Sequence, residues 1–193
     1  MFRSNESGHT LLEILLVLGV LMVMAAFCLP SARAYFAETN VLAAGRKFKD
    51  EFMKARSDAV RSGEYRALRF ETCVAGDCYS VYRDGDDDGV RSDDIARGRD
   101  TRVAGPFVLS AGAPGVRIGI NPGVEEIPPE RGALTGDPIR FGRAHMISFS
   151  PLGGATPGTF YLAGDTVQAA VRVNGMTGRV RLMVWRGHWK ERS

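Results

Sequence analysis

Apolar positions change their spacing twice along this chain, and each change marks a boundary between elements. From Ile14 to Ala32 nineteen residues carry no charge, and with Leu11 and Leu12 the run is long enough to cross a bilayer as a helix. Beyond Pro30 the apolar residues recur three and four apart, at Val41, Gly45, Phe48, Phe52, Ala55 and Ala59. Arg46, Lys47, Lys49, Asp50, Glu51, Lys54 and Arg56 lie between them, so the stripe is one face of an amphipathic helix packing on the chain's own following domain. Ser62-Gly63 supplies a stop signal. One helix from Leu11 to Arg61 is expected, about 75 Å long at a rise of about 1.5 Å per residue.

After Gly63 the period is two. Strands are expected at Tyr65–Thr72, Cys78–Arg83, Arg102–Leu109, Val116–Ile120, His145–Phe149, Thr159–Leu162, Val167–Val173 and Arg179–Trp185, parted by Gly, Pro and Asn clusters. Asn121–Asp137, with Pro122, Pro128, Pro129 and Pro138 in or beside it, reads as a long excursion or an edge loop. The fold class is therefore α+β. A long N-terminal helix, membrane-spanning in its first half and amphipathic in its second, packs on a C-terminal antiparallel β-sandwich.

Composition narrows the function classes. The 193 residues, 45% hydrophobic and 24% charged, fit one globular domain with an appendage and exclude wholesale disorder or a polytopic membrane protein. The 23 glycines favour turn-rich β structure. Three His and three Cys leave little material for a zinc or His-based centre, and neither G-x-S-x-G nor H-E-x-x-H occurs. His145 reads as a sheet residue and His188 lies between Trp185 and Trp189 near the C-terminus, so a membrane-anchored exported enzyme is the weakest reading.

At the N-terminus, Ala32-Arg33-Ala34 resembles a signal-peptide cleavage site that would leave Tyr35 first. The apolar run exceeds a signal core of about 7–15 residues, and Glu13 lies inside its leading edge. A carboxylate there needs a reason, because intramembrane acids are costly and usually functional. The stretch Ser7-Gly8-His9-Thr10-Leu11-Leu12-Glu13-Ile14 resembles the prepilin processing motif of type IV pilins and type II secretion pseudopilins. The resemblance implies cleavage by a prepilin peptidase between Gly8 and His9, with Glu13 fifth in the mature chain. Pro30 matches a Pro common near the end of the family's apolar run. Glu13 is then an assembly residue that meets the N-terminal amine of a neighbouring subunit. His9 stands where most members carry Phe, which bears on cleavage and methylation.

Further along, Ile147-Ser148-Phe149-Ser150-Pro151-Leu152-Gly153, Gly158-Thr159-Phe160-Tyr161-Leu162 and Gly178-Arg179-Val180-Arg181 resemble the C-terminal half of GspH/FimT-type pseudopilins. The implied organisation is type IV pilin-like. Residues 1–8 form a leader, 9–33 a transmembrane and filament-core helix, 34–62 its amphipathic continuation, and 63–193 an exported β-rich domain. The implied function is that of a minor pseudopilin, assembled into or priming a type II secretion pseudopilus or type IV pilus. It would be held in the bacterial inner membrane by one span, with the C-terminal domain in the periplasm or on the filament. Its partners would be other pilins or pseudopilins, the prepilin peptidase and the inner-membrane assembly platform.

Three groups of side chains remain as candidate chemistry. Cys73 and Cys78 flank a tight turn between expected strands, which brings them within reach of a disulfide in an oxidising compartment. Cys28 reads as a small hydrophobe in the apolar run. Asp84-Gly85-Asp86-Asp87-Asp88-Gly89 matches the opening of a calcium loop, with ligands at Asp84, Asp86 and Asp88. The bidentate Glu is missing, since Ile95 takes its place, and Asp93 and Asp94 are the substitutes; a solvated acidic hairpin tip is the alternative. Calcium is the one cofactor the residues suggest.

The third group is basic. Net charge is only +3 overall, but from Met146 onward six basic residues face two acids. In the hairpin around Asn174–Gly178, Val171, Val173, Val180, Leu182 and Val184 share one face, leaving Arg172, Arg179, Arg181 and Trp185 on the other. Such a face suits a phosphate backbone. Gly178–Arg181 resembles the Gly-Arg-x-Arg element of FimT-type members associated with DNA uptake, so DNA is a candidate partner. A soluble sheet face protected by arginine is the plain alternative.

Overall fold

The structure, a computed structural model, describes residues 11–74, 76–109 and 113–192, without the side chains of residues 28–34. In chain order the elements are α1 (Leu11–Ser62), β1 (Arg66–Cys73), β2 (Gly76–Arg83), α2 (Ser92–Arg97), β3 (Thr101–Val108), β4 (Arg117–Ile118), β5 (Ile139–Arg140), β6 (Met146–Phe149), β7 (Gly158–Ala163), β8 (Gln168–Val173), β9 (Val180–Trp185) and β10 (Trp189–Arg192). By its contacts the chain divides into a unit ending at Phe36 and a unit from Ala37 onward.

In the first unit, Leu11, Leu12, Ile14 and their apolar successors as far as Phe27 are exposed along α1. Among the described residues no helix is long and apolar enough to cross a membrane. The run expected to do so continues into residues 28–34, where the side chains of Cys28 and Pro30 lie outside the description.

The second unit holds the core. Val41, Ala44, Phe48, Phe52, Ala55 and Ala59 of α1 are buried, which is the expected stripe. Gly45 belongs to it for a steric reason: a Cβ there would come within 2.6 Å of Leu182 Cδ1, so the helix could not approach β9 as closely. Helix α1 ends where expected, with Gly63 in the left-handed region (φ 73°) and its N–H donating to the Ala59 carbonyl at 3.0 Å.

Two antiparallel sheets form. Sheet 1 has the order β3-β2-β1-β6, and sheet 2 the order β10-β9-β8-β7-β4, with β5 also paired to β7. They do not close a core by themselves, because helix residues take central places in it. Phe48 meets Phe160 of sheet 2 at 4.7 Å and Tyr79 of sheet 1 at 5.5 Å, while Phe70 stacks on Phe160 at 4.8 Å. Each such fully buried aromatic contributes about 1.5–3 kcal/mol. The class is α+β with a helix and antiparallel sheets, as expected, but helix and sheets share one core rather than the sheets alone making a sandwich.

The outer face of each sheet is also covered. Val90 and Ile95, from the segment between β2 and β3, pack with Ala67 and Tyr82 on sheet 1. Val124, Ile127 and Leu134, from the excursion between β4 and β5, pack with Tyr161 and Ala170 on sheet 2. That explains why β7 and β8 are buried on both faces. The excursion is thus a strap seated on the sheet, not an edge loop.

Candidate functional site

The processing residues Gly8 and His9 lie outside the described residues. Glu13 stands exposed in the first turn of α1. In the second unit Cys73 and Cys78 are joined by a disulfide across the β1–β2 turn, with Cα atoms 5.9 Å apart.

The acidic segment is folded by its own carboxylates. Asp84, 4% exposed, accepts the backbone N–H groups of Asp86 at 3.1 Å and Gly89 at 2.8 Å. Asp100, 3% exposed and not singled out by any sequence pattern, accepts those of Gly85 at 3.2 Å and Arg91 at 2.8 Å. Carboxylate oxygens of Asp84, Asp86 and Asp88 lie within 4.8 Å of one another, so the structure brings the first three expected ligands together. Asp93 and Asp94 do not join that group: both fall in α2, and buried Asp94 instead pairs with Arg99 at 3.4 Å and Arg97 at 3.8 Å. Asp88 pairs with Arg91 at 2.5 Å and Asp86 with Arg99 at 3.6 Å. Desolvation first, then repulsion from Asp88, Asp94 and Asp84, pushes the Asp86 carboxyl above its ordinary range.

On sheet 2 the expected alternation holds. Val171, Val173, Val180, Leu182 and Val184 point into the core, and Arg172, Arg179 and Arg181 lie on the outer side. The register adds a feature that spacing could not show. Arg140 on β5 is opposite Thr159 on β7, Thr159 is opposite Arg172 on β8, and Arg172 is opposite Arg181 on β9. Three arginines therefore stand in one transverse row across four strands. A groove of about 600 Å³ runs over them, bounded by Pro128, Asn174 and Arg179.

Every arginine of this face has an acidic partner. Arg140 donates to both Glu126 oxygens at 3.0 Å and lies 5.3 Å from the centre of the buried Tyr161 ring. Burial raises the Tyr161 phenol above its ordinary pKa, and Arg140 opposes the shift. Arg172 pairs with Glu130 at 3.0 Å. Arg179 and Arg181 share Glu191, at 3.3 and 3.9 Å. The carboxyl of Glu130 is held below its usual range, first by its own backbone N–H and then by Arg172.

Two residues of this face serve packing. Trp185 shares the outer side with Arg181, as expected, and there packs on Trp189, ring centres 5.6 Å apart, in the apolar cluster beneath the strap. Trp189 in turn donates its Nε1–H to the Glu125 carbonyl at 2.7 Å and pins the strap. Gly178, the glycine of the Gly-Arg-x-Arg element, has a packing role. Its φ is 60°, and a Cβ there would meet the Gly153 carbonyl oxygen at 2.3 Å.

His145 precedes β6 rather than lying in a strand, has φ 48°, and its Nε2 is 2.6 Å from Asp137 Oδ2. The second half of α1 is thus built into the core of two antiparallel sheets whose outer charges are ion-paired. The chain matches the family of type II transport protein GspH over residues 44–178 and belongs to that family. At family level it is a minor pseudopilin of type II secretion, a structural component whose partners are other pseudopilins. No curated protein and no solved structure matches it.

Proposed function

We propose that the chain is cut by a prepilin peptidase between Gly8 and His9 and assembles into, or primes, a type II secretion pseudopilus or a type IV pilus. In this reading residues 9–33 anchor it in the inner membrane and then line the filament core, Glu13 serves assembly, and the domain stands in the periplasm or on the filament. The assembly platform and the peptidase complete the set of partners. The observation carrying the proposal is the family match over residues 44–178, on a chain whose α1 exposes an apolar surface from Leu11 to Phe27. Co-expression of the full chain with a prepilin peptidase, followed by N-terminal mapping, tests it. The expected mature chain begins at His9, and Gly8→Val leaves it uncut; a chain beginning at Tyr35 would overturn the reading.

A second reading, DNA contact in natural transformation, is favoured by one observation: Arg179 and Arg181 share the single carboxylate of Glu191. The face therefore carries an excess of positive charge where a phosphate backbone could lie. Full chain and an Arg179→Ala/Arg181→Ala variant, titrated with duplex DNA across a salt series, decide it. Wild type should lose affinity with a log–log slope of about 0.9 per phosphate neutralised, and the variant should bind more weakly with a shallower slope.

A further inference from the structure

The carboxylates on this face differ in a way that tells which contacts are permanent. Glu126 is 17% exposed, meets Arg140 through both oxygens, and belongs to a strap seated by apolar side chains. That pair is an anchor. Glu130 and Glu191 are 52% and 45% exposed, and their arginines are 32–61% exposed, so those pairs are worth little and exchange readily with other ions. Glu130 rides on the strap and Glu191 on the edge strand β10, so both can swing from the arginines without unpacking the core.

Resting on the second reading above, we propose that Glu130 and Glu191 are built-in stand-ins for phosphate, and that duplex nucleic acid binds by replacing them on Arg172, Arg179 and Arg181. Neighbouring strands lie about 4.8 Å apart, so Arg172 and Arg181 stand opposite each other on adjacent strands at about that backbone spacing, with Arg179 in the turn just before β9. Arg140, kept by Glu126, fixes the far end of the row. The surface suits a backbone and not an unstacked base, because it offers no aromatic platform. Tyr161 is 2% exposed, and Trp185 and Trp189 are packed on each other beneath the strap. With three of its four arginine charges matched by Glu126, Glu130 and Glu191, the unliganded face keeps only a small positive excess, which limits random anion binding until a polyanion engages several arginines at once.

The test uses the full chain, a mixed-sequence duplex, the corresponding single strand, and the variant Glu130→Gln/Glu191→Gln. The control Asp77→Asn/Asp165→Asn makes the same change in net charge at exposed positions away from the row. The carboxylate variant should bind the duplex about three- to tenfold tighter than wild type at moderate salt, with at most a slightly lowered melting temperature, while the control gains less than about twofold. Tighter binding by the variant when wild type shows none supports the proposal as well. If wild type binds and the variant binds no tighter, or the control gains as much, the stand-in role is overturned and DNA contact survives. Preference for the single strand overturns the backbone assignment. No binding by any of the proteins removes the DNA reading and this inference together.

Discussion

Two excursions leave the sheets of this domain, and they are fastened in opposite ways. Residues 84–100 lie on sheet 1 and residues 121–138 on sheet 2, each over a small apolar cluster of its own. The first is tied by buried carboxylates, Asp84 and Asp100, that accept backbone N–H groups. The second is fixed at its two ends, where the Asn121 N–H donates to Gln168 Oε1 and the Tyr161 N–H to the Pro138 carbonyl. Between them it is tied by ion pairs at the surface and an indole hydrogen bond. Both carry charge, but the sequence marks only the first as a candidate site and reads the second as a long excursion or an edge loop. The difference shows that a charge cluster is read by what satisfies it. Carboxylates consumed by backbone N–H groups are structural, whereas exposed guanidinium–carboxylate pairs can be exchanged.

The sharpest way to break the comparison is to remove a buried tie. Asp100→Ala leaves the N–H groups of Gly85 and Arg91 without their acceptor, and should cost about 2–4 kcal/mol in urea unfolding. Arg179→Ala/Arg181→Ala, on the sheet face beside the second excursion, should cost less than about 1 kcal/mol, since their partner Glu191 is exposed. Similar losses from the two would show that the surface pairs are as structural as the buried ones.

How much of this was legible follows from which residues carry periodicity. The α1 stripe from Val41 to Ala59, its stop at Gly63 and the in–out alternation of β8 and β9 are repeated patterns, and they read correctly. The two-residue strands β4 and β5 have no pattern to read; they exist because β7 offers an edge. Expected Val116–Ile120 therefore shrinks to Arg117–Ile118, and Arg140 enters the arginine row unannounced. Helix α2 and Asp100 were hidden by the density of Asp and Gly around them, which looks like turn chemistry whichever acid is buried. Trp185 falls on the expected face, but alternation gives a face and not what covers it. The strap that covers it comes from about 50 residues away and declares itself only by the hydrophobic triplet Val124, Ile127 and Leu134.

A smaller effect separates repulsion from cation binding in the acidic excursion. The raised Asp86 carboxyl means that its charged form is disfavoured in the fold, so stability from this group is full below the ordinary value of 3.8 and falls as pH rises through the raised one. Asp86→Asn should therefore melt at a higher temperature than wild type at neutral pH in EDTA. If Asp84, Asp86 and Asp88 hold calcium, the millimolar ion should raise wild type and not the variant, closing the gap. A gap untouched by calcium leaves Arg91 and Arg99 as the only counter-charges these acids use.

The smallest effect belongs to Glu130, and its sign is opposite. Its carboxyl is held below the ordinary 4.5, so the fold favours the charged form. Its contribution is present above 4.5 and is lost as pH falls through the lowered value. The group is half exposed, which limits the contribution to well under 1 kcal/mol after screening. Urea unfolding of wild type and Glu130→Gln should differ slightly at neutral pH, and the difference should fade as pH falls below about 4.5. High salt at neutral pH should erase the same difference, because an exchangeable pair is one that dissolved ions can replace. A difference that survives high salt would mean Glu130 fastens the strap as firmly as Asp100 fastens the acidic excursion, and the contrast between the two regions would fail at its most exposed point.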